Sequence, residues 1–176
     1  MNIKRVEEFL IDKPLRIKIH SLLSECFPDY PKGKTYYKQL PTFRLLAWEG
    51  DDLVGHLAVE HRMMNNGGNL IRVFGIVDLC VAKDFQHQKI GTQLLDRLEK
   101  LGKKHEINFL LLIAKDHEVY LKNGFTLVEN NCKWLFIHDH ETLGVMQRQL
   151  QNSLMVKALG KKEWKENKLD FLGHIF

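Results

Sequence analysis

Leu79-Cys80-Val81-Ala82-Lys83-Asp84-Phe85-Gln86-His87-Gln88-Lys89-Ile90-Gly91-Thr92 is the stretch that decides how this chain is read. Its first residues close a long strand-like run that begins at Asn69, and its last open a segment of different period. Ile90, Leu94, Leu95, Leu98 and Leu101 recur at helical spacing, with Asp96, Arg97, Glu99 and Lys100 on the other face. A strand therefore passes through a short polar loop into an amphipathic helix, with Gly91 in its first turn. Helix N-termini present unpaired N–H groups and the positive end of the dipole, so such a junction suits a phosphate or pyrophosphate. Lys89 would add charge there and Thr92 a hydroxyl. Any strand–loop–helix junction shares part of this pattern, so alone it does not decide between a ligand site and a plain connection.

Toward the N-terminus, residues 14–26 carry Leu15, Ile17, Ile19, Leu22 and Leu23 behind a helix-compatible proline, and predict a helix. Residues 27–40 are polar and aromatic, with Pro28, Pro31 and Gly33, and predict a long loop containing a short helix. Residues 43–49 and 53–62 flank Gly50-Asp51-Asp52 as a hairpin, and Asn65-Asn66-Gly67-Gly68 turns into the strand at 69–82. Toward the C-terminus, the apolar run 107–114 predicts a strand covered on both faces, and 116–122 a short helix stopped by Asn123-Gly124. Residues 125–128, 133–137 and 154–158 predict strands, with a helical or irregular insert between the last two. The pattern is α+β with a mixed, mostly antiparallel sheet, and no linker divides it, so 1–176 is read as a single domain. The segment 164–176 keeps Trp164, Leu169, Phe171, Leu172, Ile175 and Phe176; so apolar a tail is expected to dock, on its own domain or on a second copy as a homodimer.

With 176 residues the chain can bury a proper core, and a formal net charge of +4 favours an anionic ligand. That charge is far from the basic stripe of a nucleic-acid binder, so no nucleic-acid partner is expected. No apolar run approaches membrane-spanning length, the first residues are charged, and Cys26, Cys80 and Cys132 are odd in number; no membrane association and a cytoplasmic location are expected. His138-Asp139-His140-Glu141 lacks a third ligand at recognisable spacing, and a polar turn accounts for it, so no metal is expected.

The junction resembles the coenzyme A motif of the GNAT superfamily, Gln/Arg-x-x-Gly-x-Gly/Ala, with Gln86 at the first position and Gly91 at the last. Lys89 replaces the motif's first glycine; an early-helical position there need not demand a positive φ. Val119-Tyr120-Leu121-Lys122-Asn123-Gly124-Phe125 resembles a second family motif, in the right order downstream. The resemblance covers residues 14–158. It implies an acyl-CoA N-acyltransferase, a GNAT-like sheet flanked by helices, and a cleft for coenzyme A where the family's fourth and fifth strands splay apart. It implies acetyl-CoA as cosubstrate and a primary amine of a small molecule as acceptor. Gly55-His56, Leu79-Cys80-Val81 and a tail with Asp170 and Gly173 are similar to the branch of aminoglycoside 2′-N-acetyltransferases and nodulation-type N-acyltransferases.

Within the resemblance, Leu79, Cys80 and Val81 would offer backbone groups to the two pantetheine amides. Gln86, His87, Gln88, Lys89, Ile90, Gly91 and Thr92 would cradle the pyrophosphate. Tyr120 would protonate the departing thiolate, or else pack its helix on the sheet. For the base, the commonest family position falls on Val77, which cannot serve. Asp78 ranks first, unless it is a structural hydrogen-bonder at a bulge, and Glu60 second; His56 shares Glu60's strand face, and a water chain could also serve. Tyr30, Tyr36, Tyr37 and His56 are candidate substrate contacts, the tyrosines alternatively forming a lid. A non-catalytic module binding coenzyme A, another nucleotide or a protein is the rival that Lys89 and Val77 keep open.

Overall fold

The computed structural model describes residues 1–176. In chain order the elements are β1 (Asn2–Glu7), α1 (Lys13–Cys26), β2 (Phe43–Glu49), β3 (Asp52–Asn66), β4 (Asn69–Val81), α2 (Ile90–Lys104), β5 (Phe109–Ile113), α3 (Glu118–Lys122), β6 (Thr126–Leu127), β7 (Asn130–His138), β8 (Glu141–Leu150), β9 (Leu154–Ala158) and β10 (Lys168–His174). The fold is α+β, with a mixed and mostly antiparallel sheet. The chain forms two compact units, each drawn from two stretches: Met1–Glu60 with Val77–Leu98, and His61–Ile76 with Glu99–Phe176. No helix is long and apolar enough to cross a membrane.

In the first unit β1, β2 and β3 pair antiparallel in that order. The register sets Arg44 opposite Ala58 and Leu46 opposite His56, so Arg44, Leu46, His56, Ala58 and Glu60 share one face. α1 covers that face: Ile19, Leu22 and Leu23 pack in one cluster with Leu46, Tyr30 and Cys80. The helix starts where Asp12 accepts the Leu15 N–H at 2.9 Å, with Pro14 in its first turn. On the opposite face Gly55 lets α2 approach. A Cβ built there would lie 2.9 Å from Ile90 Cγ2 and 3.3 Å from Leu94 Cδ1.

The short helix expected within 27–40 is absent; the segment is a chain of turns. Pro28 and Pro31 remove two donors and hold the residues before them extended, which starves a helix of its first bonds. Instead the loop is tied to α1: His20 Nδ1–H donates to Lys34 O at 2.8 Å and the Gly33 N–H donates to His20 Nε2 at 3.3 Å.

In the second unit β3 and β4 are joined through Gly67 and Gly68, both with positive φ. β5 runs parallel to β4, but only over Val73–Gly75 against Phe109–Leu111, and β9 and then β6 extend that side. On the other side β10 lies between β3 and β7, with Leu169 and Phe171 fully buried, so the apolar tail docks as a strand on its own chain. The insert expected to be helical or irregular is β8, paired antiparallel with β7 through Asp139 and His140. Both turn residues have positive φ (47° and 65°), as a type I′ hairpin turn requires. Nearly all of β8 is exposed, so its sequence carries no burial alternation to announce a strand.

Candidate active site

Strand alternation and a single backbone irregularity build the site of the first unit. Asp78, near the end of β4, has φ +52°, a left-handed bend inside a strand. Asp tolerates this region better than most residues, though it still costs about 1 kcal/mol. Beside it Tyr30, buried under α1, donates its hydroxyl to Asp78 Oδ2 at 2.6 Å. Tyr37 stands edge-on to Tyr30, centroids 4.6 Å apart, with its ring half exposed. Tyr36 is half-buried and Glu60 buried. Burial pushes the Asp78 carboxyl above the usual range, Tyr30's hydrogen bond and Arg44 oppose that rise, and Glu60 adds to it. Burial and the Asp78 carboxylate push the Tyr30 phenol far up, so it stays a donor.

His56 is fully buried, which takes it away from any substrate and corrects its expected role as a substrate contact. Both ring nitrogens are engaged. Nδ1 lies 2.7 Å from the Asp78 carbonyl, which can only accept, so Nδ1 carries the hydrogen. Nε2 then accepts from Arg44 Nη1 at 2.8 Å, and a guanidinium can only donate. Burial, with Arg44 next, lowers this imidazole's pKa to about 3, so the ring is neutral. Arg44 is itself fully buried, held by Glu8 Oε2 at 2.7 Å and the Thr35 carbonyl at 2.8 Å. Sequence reasoning missed Glu8 and Arg44. The only signal was a charged residue inside the apolar run Phe43-Arg44-Leu45-Leu46-Ala47-Trp48.

Leu79 and Val81 are part-exposed and Cys80 is buried, as alternation dictates. The Val81 carbonyl accepts from Cys26 Sγ at 3.5 Å and Gln86 Nε2 at 3.2 Å. A hydrogen bond between the two thiols lowers Cys26 and raises Cys80, which burial raises further, so Cys80 is no nucleophile. Residues Lys83–Phe85 form a single 3-10 turn. His87 and Lys89 then both take positive φ (61° and 63°), and this overturns the expectation that Lys89 needs none. The position demands the left-handed conformation that glycine adopts freely, and lysine bears the strain. Lys89 O accepts the Gln93 N–H at 3.0 Å, so the N–H groups of Ile90 and Gly91 precede the first helical bond. A Cβ at Gly91 would meet nothing nearer than Val81 Cγ2 at 4.0 Å, so packing does not require this glycine.

Tyr120 belongs to the second unit, in α3, where its ring stands edge-on to Phe125 at 5.7 Å. Its carbonyl accepts the N–H groups of Asn123 and Phe125, both at 3.0 Å, and Gly124 takes φ +78°, which ends the helix as expected.

Residues 13–140, well over half of the chain, match the acetyltransferase (GNAT) domain family. The chain belongs to the GNAT family. Solved GNAT structures share the fold at low identity. YhbS, a GNAT family N-acetyltransferase of Escherichia coli solved in complex with CoA, superposes with a TM-score of 0.65 at 14% identity, covering 97% of this chain and 88% of that one. E. coli ElaA gives 0.62 at 15%, covering 89% and 98%. Eis1 from Mycobacterium abscessus gives 0.63 at 14% over 73% of this chain, which spans only 32% of Eis1. No curated protein matches the chain in sequence. At such identities the likeness speaks for the fold, and this GNAT domain's site must be argued from its own residues.

Proposed function

We propose that this GNAT domain transfers an acetyl group from acetyl-CoA to a primary amine of a small acceptor by direct attack. The observation that carries the reading is Asp78, a half-buried carboxylate set by a left-handed bend and held through one oxygen by Tyr30. Oδ2 takes the Tyr30 hydrogen bond and leaves Oδ1 to receive a proton from the acceptor's nitrogen. Burial makes Asp78 a stronger base than an exposed carboxylate, which brings it closer to neutral pH where general bases work best. Glu60, on the same side, raises Asp78 further and adds negative charge that draws a cationic amine.

Residues 86–92 fit a diphosphate. Two left-handed residues, His87 and Lys89, turn the loop ahead of the N–H groups of Ile90 and Gly91, and alternating φ signs favour such anion nests. Open space in front of Gly91 gives a phosphate oxygen room to approach the backbone. β4 runs on past its last pair with β5, and there Leu79 to Val81 supply backbone groups for pantetheine amides. Bound there, the thioester supplies an activated acyl carbon: the amine nitrogen forms a bond to it as the C–S bond breaks. Tyr120, carried over from its motif alone, gives its phenolic proton to the sulfur. The amine's proton ends on Asp78, and solvent returns both residues to their starting states.

The test is release of free coenzyme A from acetyl-CoA across a panel of polyamines, amino sugars, amino acids and peptide N-termini. At least one amine should accelerate release, Asp78→Asn should lower kcat by about 100-fold or more, and Tyr120→Phe by a smaller factor. Coenzyme A binding without turnover on any amine would reject the enzyme and leave the non-catalytic module, which the strained Lys89 favours.

A further inference from the structure

The most deeply buried charges of the first unit have no part in the proton transfer proposed above. Arg44 and Glu8 form an ion pair with almost no solvent exposure, and Glu8 Oε1 has no partner at all. Such a pair gains little over apolar residues of the same size, so stability alone does not explain it. What it does is donate one N–H to His56 Nε2 at 2.8 Å. That donation leaves the His56 ring no option but to carry its hydrogen on Nδ1, and Nδ1 reaches the Asp78 carbonyl at 2.7 Å.

The carbonyl is the one that the left-handed bend displaces from ordinary strand geometry. β3 and β4 still run side by side just beyond it, since the Ala82 N–H donates to Val54 O at 2.9 Å. His56 therefore supplies from a side chain the bond that holds a strained residue in place. A non-glycine residue at positive φ persists only where its surroundings over-determine it. The Tyr30 hydroxyl fixes the carboxyl end of the same residue.

We propose that His56 is a positioning residue for Asp78, its tautomer locked by the buried Glu8–Arg44 pair, so that the Asp78 backbone is held in the bend that aims its carboxylate at the acceptor. The proposal rests on the reading of Asp78 as base, and it deepens it. The charged and titratable groups around the relay are Glu8, Arg44, Asp78, Glu60, Tyr30 and Tyr37; the ring faces Arg44 and the Asp78 carbonyl directly.

Two amide replacements separate the ring's two contacts. The side-chain nitrogen of Asn overlays Nδ1 and keeps a donor for the Asp78 carbonyl. Gln overlays Nε2 and keeps only the partner of Arg44. With acetyl-CoA and the fastest amine of the panel, His56→Gln is expected to lower kcat by about 100-fold with little change in the KM for acetyl-CoA. His56→Asn should recover most of that loss. The acid limb of the pH profile should move upward in His56→Gln, because a displaced Asp78 loses the Tyr30 bond that holds its pKa down. Equal kcat in the two variants, with both folded by thermal unfolding, would overturn the proposal.

A second arm needs no turnover. In wild-type protein labelled with 15N-histidine, one ring should show the Nδ1–H tautomer and fail to titrate between pH 5 and 8, and its signal should vanish in His56→Gln. An Nε2–H ring, or one that titrates normally, would equally overturn the lock. A silent Asp78→Asn would instead remove the base assignment, leaving the relay to stand or fall on the tautomer and on the contrast between Gln and Asn.

Discussion

Lys89, at φ +63° before α2, occupies a place where backbone geometry asks for glycine. Lys89→Gly should therefore stabilise the fold by about 1 kcal/mol, the left-handed penalty less the entropy glycine loses, and any loss of coenzyme A binding reads the charge that the lysine adds. Gly91 is the opposite case, a glycine inside a helix where a Cβ would find open space. Gly91→Ala, which the motif accepts, should add up to about 1 kcal/mol of helix stability and leave coenzyme A binding intact, whereas the branched side chain of Gly91→Val should fill the approach to the backbone and weaken binding. Thermal unfolding and titration calorimetry on these variants read both quantities; a Gly91→Val protein that binds as well as wild type would place the diphosphate elsewhere. His56 makes a separate statement about pH. Its folded pKa of about 3 lies below the usual 6.5, so on acidification the unfolded chain takes up the proton first. The stability this ring contributes is complete above 6.5 and lost as pH falls toward 3, by at most about 1.4 kcal/mol per pH unit. Urea unfolding across that window should show the slope, and His56→Gln should flatten it.

At the scale of elements, α2 is placed by what β3 lacks. Gly55 leaves the groove into which Ile90 and Leu94 settle, and Ile90 is the first residue of the helix whose start forms the proposed diphosphate cradle. A Cβ 2.9 Å from Ile90 Cγ2 must push that end of the helix away. Gly55→Ala is expected to cost about 1–3 kcal/mol by overpacking and to raise the KM for acetyl-CoA. Unfolding midpoints together with KM would separate that outcome from simple destabilisation, which leaves KM unchanged in the folded fraction. The helices and most strands were legible, because α2, β3, β4, β5 and β9 each pack an apolar face or run against a neighbour. β1 and β8 were not, since both lie largely in solvent and owe their form to the strands beside them.

For the whole molecule, the decisive piece is β10. It enters the sheet between β3 and β7, so residues far along the chain complete strands laid down early. Phe171 is fully buried there and meets the Phe176 ring at 5.7 Å. Phe171→Ala should cost about 3–5 kcal/mol in chemical unfolding, as expected for an aromatic core residue; a cost near zero would mean that the strand is not seated. The apolar character of 164–176 foretold docking, but neither the strand nor its two neighbours, because a short alternating run is compatible with many partners.

The order of residues by itself determined the helices with a clear apolar stripe, the glycine-marked turns, and the junction at 79–92 with its family resemblance. Those features depend on neighbours a few positions apart, and periodicity and backbone sterics act at that range. Only the tertiary structure decided that Lys89 is strained, that His56 is sealed away from substrate, and that Glu8 and Arg44 reach Asp78 through it. The last two rest on groups up to some seventy residues apart meeting in a dry interior, where a hydrogen-bond donor must find its acceptor and the one available partner fixes the geometry.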